Sequence, residues 1–410
     1  MKRVFFVFLL IVTSVISLQA QGYYDEVAGQ EGSRVITTAV PFQIIAPDAR
    51  SGGMGEVGVS SDPDASSMHW NPAKYAFIDK KFGFALSYSP WLRALVNDIN
   101  LAYLAGYYKI DDRQTVAATL LYFSLGEIMF TNEFGDDIGT YNPNEFSLDA
   151  TYSRKFSEVI SGAVAARFIY SNLTQGQFVQ GAETSAGTSI AADAAVYYKK
   201  EVDLGGMDGE VTWGINLSNI GNKISYSKTA VKRDFIPTNL RLGGGLKMNF
   251  DDYNSLAVML DLNKLQVPTP PIYARDTSLP GDPPIYDQQG NPVIEKGMDP
   301  NVSTVEGIIQ SWYDAPYGFS EEMREWAIAF GVEYWYAKQF SLRGGFFYED
   351  KTKGNRKFFT VGAGLRYSVF GLDLSYLIPI EQQNPLENTL RFTLHFNFDP
   401  AKESSLPPKK

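Results

Sequence analysis

The sequence predicts an all-β chain: a 14-stranded antiparallel transmembrane β-barrel with an N-terminal plug in its lumen. Three observations lead there. Apolar and polar residues alternate with period 2 again and again from about residue 82 onward, and no long stretch shows a 3.6-residue period. The alternating runs are about 9 to 13 residues long, which suits a tilted membrane crossing and exceeds the strands usual in soluble sheets. The connections between them alternate short and long, as tight turns on one side of a membrane and long loops on the other require.

Lys2 and Arg3 precede an apolar run from Val4 to Val12 that continues thinly through Val15, Ile16 and Leu18. Charge followed by an apolar run is the order of a secretory signal, expected over residues 1–20 with Ala20 before the cleavage point. The run is short for the competing reading, an N-terminal membrane anchor. No later stretch reaches about 18 uninterrupted apolar residues, so a membrane would have to be crossed by strands. Residues 21–81 are rich in Gly, Pro, Ser and Asp and lack useful alternation. They still carry apolar anchors (Phe42, Ile44, Ile45, Met54, Trp70, Tyr75, Phe77). The lumen is the expected place for this segment, because an unfilled barrel of this size would enclose water.

The barrel is expected over residues 82–398, with segments beginning near 82, 99, 115, 145, 161, 188, 210, 238, 255, 325, 340, 357, 371 and 388. Fourteen is an even number, as in bacterial barrels. The last segment is the clearest: Leu390, Phe392, Leu394, Phe396 and Phe398 alternate with Arg391, Thr393, His395 and Asn397. A soluble sandwich would alternate too; what separates the two is which face is wet. Among the connections, Asp111-Asp112-Arg113 is short and 264–323 is a loop of about sixty residues, whereas the turn around Gly205 to Gly209 is longer than its class predicts. Residues 399–410 form a polar tail.

Composition narrows the function. There are no cysteines, which removes disulfide frameworks, thiolate metal sites and cysteine nucleophiles. A net charge of -10 speaks against a nucleic-acid partner. The 24 Tyr, 27 Phe, 6 Trp and 36 Gly suit aromatic girdles and close backbone approaches better than helices.

Gly53, Gly55 and Gly58 spell a G-x-G-x-x-G pattern, with Asp79 about twenty residues on. A dinucleotide site needs a buried strand before that pattern and a helix after it, and here Ser60-Ser61-Asp62-Pro63-Asp64 follows. The glycines read instead as tight backbone packing in the plug. The two histidines, His69 and His395, read as a structural neighbour of Trp70 and a lumenal side chain. Asp136 with Asp137 and Glu321 with Glu322 could hold a cation in outer loops, but read first as solvated. No cofactor, metal or catalytic group is expected. In the sixty-residue loop, prolines stiffen the first half, while Ile308, Ile309, Trp312, Tyr313, Tyr317 and Phe319 gather in the second. The loop is read as folding over the barrel mouth as its own lid, as presenting an exposed aromatic docking surface, or as doing both.

The segment His69-Trp70-Asn71-Pro72-Ala73, behind Gly52-Gly53-Met54-Gly55 and Asp64-Ala65, resembles the hatch of FadL-type outer-membrane proteins. The likeness narrows at Thr37-Thr38-Ala39-Val40-Pro41-Phe42, Trp70-Asn71-Pro72-Ala73-Lys74-Tyr75-Ala76-Phe77, Pro90-Trp91-Leu92, Asp98-Ile99-Asn100-Leu101-Ala102-Tyr103 and Tyr141-Asn142-Pro143-Asn144-Glu145-Phe146. These stretches are similar to the PorV family of the type IX secretion system. That resemblance implies a bacterial outer-membrane helper that performs no chemistry. Its implied partners are the giant translocon barrel, the C-terminal signal domain of cargo proteins, the surface attachment-complex proteins and membrane lipid. The competing function is a FadL-like uptake channel for hydrophobic compounds. An outer-membrane lipid hydrolase would need a nucleophile and base facing one another, and no Ser-His pairing is visible.

Overall fold

The computed structural model describes residues 34–399 apart from 94–95, 97, 132–134, 136, 175, 177, 180–181, 228–232, 277, 279–282 and 382–383. The expected signal (1–20), the tail beyond 399 and Asp136 lie outside the described residues. Fourteen strands close into one barrel: Phe82–Pro90, Asn100–Lys109, Gln114–Ser124, Asn144–Lys155, Ile160–Asn172, Gly187–Asp203, Asp208–Gly221, Asn239–Asn249, Asn254–Leu265, Ala327–Tyr336, Phe340–Tyr348, Lys357–Tyr367, Phe370–Pro379 and Leu390–Phe398. Each pairs antiparallel with its sequence neighbour. The first and last close the ring in the register Phe82↔Phe398 to Tyr88↔Phe392. Phe82 and Phe398 stack across that seam at 4.6 Å. Every strand begins within two residues of the position that alternation predicts.

The wet-face question is answered by burial. Ser87, Thr119, Asp149, Arg167, Asp261 and Arg391 point inward and are buried, whereas Leu86, Leu104, Leu148, Val164 and Ile190 point outward and are exposed. A soluble sandwich would bury the second set. An apolar outer face around a polar interior is the arrangement of a lipid-embedded barrel. No helix among the described residues is long and apolar enough to cross a membrane.

The turn near Gly205 departs from the expectation of an unusually long connection. Its flanking strands extend to Asp203 and from Asp208, leaving only four residues between them. Closure of the hairpin is local, through Leu204 N donating to Met207 O at 2.8 Å and Gly206 N to Asp203 Oδ1 at 2.6 Å. Among the described residues one irregularity interrupts the barrel ladders, between Ala192 and Ala194. Opposite it, Asn219 takes a φ of 60° and donates its backbone N–H to Asp193 at 2.8 Å. Its side chain meanwhile accepts a bond from Arg167.

Residues 39–78 meet inward-facing groups on strands all around the ring, so they occupy the lumen. Ala49 N donates to Thr393 Oγ1 at 2.8 Å, Gly55 N to Thr360 Oγ1 at 2.7 Å, and Gly58 N and Val59 N share Asp261 Oδ2 at 2.7 and 2.9 Å. Far around the wall, Ala73 O accepts from Ser153 and Ser161, at 3.1 and 2.6 Å. Two glycines make the closest approach. Gly55 has a φ of +69°, and a side chain there would meet Phe346 N at 2.5 Å; one on Gly345 would collide with the backbone of Met54 and Gly55. Gly345→Ala is therefore expected to lower the stability of the seated segment by about 1–3 kcal/mol. Chemical unfolding followed by tryptophan fluorescence would read this, and an unchanged midpoint would count against so close a contact.

Candidate functional site

The lumenal segment is held by charge as much as by packing. Arg50 forks onto Glu333 at 2.9 and 2.8 Å and reaches Asp64 at 2.9 Å. Glu333 also accepts from Arg343 Nε at 2.8 Å, and Arg343 in turn pairs with Asp373 at 2.8 Å. Asp373 then takes His395 at 2.7 Å and Arg366 at 2.7 Å. A second anchor sits toward the short-turn end, where Asp62 meets Lys247 at 2.7 Å and Lys199 at 3.3 Å. Burial works to raise the Asp62 pKa, but Lys247, Lys199 and Arg50 together hold it far below the usual carboxylate range. Burial pushes Lys74 down to about 8, even though Asp64 opposes that shift. Its ammonium is satisfied by Gly58 O at 2.7 Å and Ser61 Oγ at 2.9 Å. Buried charges persist only when partnered in this way.

The plug-motif residues come together here. Gly53, Gly55, His69, Trp70, Asn71, Pro72 and Ala73 are all buried. Asp48 caps the short helix Ala49–Gly52 by accepting from Ser51 N at 2.9 Å, and its other oxygen accepts from Trp70 Nε1 at 2.6 Å. Asn71 Oδ1 accepts from Ala73 N at 3.0 Å, capping the 3-10 turn Pro72–Phe77, while Nδ2 reaches Val59 O and Val196 O at 3.2 and 3.0 Å. One side chain thus joins both halves of the segment to the wall. His69 stacks edge-on to Trp70 at 4.8 Å, and burial with Arg241 and Arg167 nearby pushes its pKa well below the ordinary histidine value. The short helix before the glycines and the barrel wall beside them leave no strand–glycine–helix unit for a dinucleotide.

The outer loop is a folded element. Its helix Thr304–Gln310 is capped by Ser303 accepting from Glu306 N at 3.3 Å, and a shorter helix, Phe319–Glu322, follows. Thr304 Oγ1 ties it to Gly221 O at 2.9 Å. Ile308 is half-buried, whereas Ile309, Trp312, Tyr313, Tyr317 and Phe319 are exposed, with Phe319 at 79%. They face outward and are not the loop's underside.

Glu321 and Glu322 correct the expectation of a solvated pair: both are buried. The loop's path brings them with Glu325 onto two lysines that sequence reading passed over. Lys353 pairs with Glu321 at 2.7 Å and Glu325 at 2.8 Å, while Lys264 pairs with Glu322 at 3.1 Å and with Glu325. Lysines at the end of one strand and in a distant turn carry no local signal of such a meeting. The neighbouring Asp314 accepts from Thr269 N at 3.0 Å. Among the described residues no group of three or more His, Asp or Glu is arranged to hold a metal ion.

Burial, with Glu322 and Glu325 close by, raises Asp314 to about 6. A carboxyl whose folded pKa lies above its free value favours the folded loop when protonated. That contribution is complete below about pH 4 and is lost as pH rises through about 6. The loop is therefore expected to resist limited proteolysis better at about pH 5 than at about pH 8, and Asp314→Asn should remove the difference. Equal cleavage rates in the unsubstituted protein at both pH values would refute the assignment.

Residues 28–272 match the family described as "Type IX secretion system protein PorV". Comparison with curated protein sequences gives no significant match. Among solved structures, the Ralstonia pickettii toluene transporter TbuX is 11% identical, covers 87% of this chain and 100% of its own, and superposes with a TM-score of 0.45. The Pseudomonas putida toluene transporter TodX is 12% identical over 86% of this chain and 99% of its own, at 0.49. A Pseudomonas aeruginosa FadL homologue is 10% identical over 89% and 100%, at 0.40. The family match spans more than half of the sequence, and with the closed fourteen-stranded wall it places the chain, as a bacterial outer-membrane β-barrel, in the PorV family of type IX secretion system proteins.

Proposed function

We propose that this chain acts as a shuttle or adaptor of the type IX system. It receives the C-terminal signal domain of cargo at the giant translocon barrel and delivers it to the cell-surface attachment complex, without performing chemistry. The observation that carries this reading is the outer loop, where Ile309, Trp312, Tyr313, Tyr317 and Phe319 stand exposed on a scaffold pinned from below by buried ion pairs. Exposed aromatics on an immobilised surface lose little entropy on docking and dominate interface energies. The alternative, uptake of hydrophobic compounds through the lumen, is opposed by what fills it. A hydrocarbon would have to displace a segment bonded to strands around the ring and enter a path lined by ion pairs.

The test is capture of an isolated cargo signal domain by purified protein. Removing residues 268–320, or combining Trp312→Ser with Phe319→Ser, should abolish capture while the barrel keeps its heat-modifiable migration. Undiminished capture by both variants would refute the outer-loop assignment. Stoichiometric fatty-acid binding in the lumen would favour the uptake reading.

A further inference from the structure

A cavity of about 70 Å³ lies between the lumenal segment and the wall, bordered by Glu56 and Trp70 below and by Arg241, Asn239 and Asn263 from two neighbouring strands. Glu325, Glu349, Lys353 and Arg356 of the outer loops also border it. Apolar Ile36, Ile44, Leu265, Ala327 and Phe347 share the lining with the polar groups, and the space takes several waters, since one water needs roughly 10–15 Å³ by this measure.

The charges around it are unequal in one respect. Glu56 is paired with Arg391 at 2.9 Å, Glu349 with Arg356 at 2.9 Å, and Glu325 with Lys264 and Lys353. Arg241 has no such partner. It is 5% exposed, yet no carboxylate among the described residues lies within 4.0 Å of it. Its contacts are His69 O at 2.5 Å, the His69 ring nitrogen at 3.5 Å and the face of Trp70 at 5.2 Å. A guanidinium carries five N–H donors and no acceptor, and these contacts give its charge no carboxylate in contact; Asp261, Asp193 and Glu56 attract it only from beyond 4.0 Å. Behind Glu56, buried Arg391 also keeps Nε and Nη1 without an acceptor. Isolated buried charges are costly unless a counter-charge arrives.

We propose that this cavity binds a small oxyanion, a carboxylate, with Arg241 as its counter-charge and the Asn239 and Asn263 amides beside it. The planar fork of Arg241 matches two carboxylate oxygens, and a space that takes several waters admits a group of that size. The carboxylate comes from a free small acid or from the C-terminus of a polypeptide. The site stands whether or not the outer loop binds cargo.

Thermal unfolding of the full purified chain in detergent, at matched ionic strength, tests this. Sodium acetate should raise the midpoint by several degrees over sodium chloride, by ligand linkage. Arg241→Gln should lose that increment, and Arg241→Lys should keep part of it. Heat-modifiable migration shows that each variant is folded. An equal acetate shift in the Gln variant, or no shift in the unsubstituted protein, would overturn the proposal, as would a shift with inorganic phosphate but not acetate. A short peptide with a free C-terminus, compared with its amide, identifies the source. Protection by the acid form alone, at concentrations about tenfold below acetate, assigns a chain end, and protection by acetate without the peptide assigns a free acid.

Discussion

Replacing Glu333 with alanine is expected to unseat the lumenal segment and open a conducting path through the barrel. Glu333 is the shared acceptor for Arg50 of the segment and Arg343 of the wall, at 2.8 to 2.9 Å, and it is buried. Removing one partner of a buried ionic group costs about 3–5 kcal/mol, because the remaining charges stay desolvated. Arg343 keeps Asp373 and Arg50 keeps Asp64, so the loss falls chiefly on the contact that joins segment to wall. Planar-bilayer conductance should rise from closed to open, with a parallel fall in unfolding midpoint. Glu333→Gln keeps the shape without the charge and should lie between. A closed, fully stable Glu333→Ala barrel would show that hydrogen bonds such as Gly58 to Asp261 hold the segment unaided.

The second large effect is expected at Glu325. It receives Lys264, Lys353 at 2.8 Å and the Thr269 hydroxyl at 2.6 Å, making it the centre of the buried cluster beneath the outer loop. Glu325→Ala leaves each lysine one glutamate, Glu322 or Glu321. A loss of about 3 kcal/mol in loop closure corresponds to roughly a hundredfold faster cleavage under conditions where cleavage follows the open population. Trypsin sites at Arg275, Lys296 and Arg324 lie in or beside the loop and would report it. Unchanged cleavage would place the loop's anchorage elsewhere, at Thr304 on Gly221 or at Gly307 against Phe235.

The barrel was legible in the sequence because its cause is local. A strand places successive side chains on opposite faces, so runs such as Leu390 to Phe398 declare their conformation, and the lengths of the gaps declare which side each turn lies on. Strand count, starting points and the short-long loop order followed from that alone. The family resemblance likewise rested on contiguous motifs such as Trp70-Asn71-Pro72-Ala73.

The pairings of the candidate site have a different origin. Arg50 and Glu333 are 283 residues apart, and neither differs in type or setting from charges that remain in water. Glu321 and Glu322 read as a solvated pair because nothing adjacent shows that Lys264 and Lys353 will converge on them. The turn near Gly205 read as long because glycines do not show where a strand stops when its hydrogen-bonding partner continues. Alternation specifies that a side chain points inward; ring closure and cross-strand register decide what it meets there. The sequence by itself thus determined the barrel and its lipid-facing surface. Only the tertiary structure decided how the lumen is filled, how the outer loop is pinned, and that Arg241 borders a cavity with no carboxylate in contact, because Coulomb contacts depend on distances set by the closed sheet.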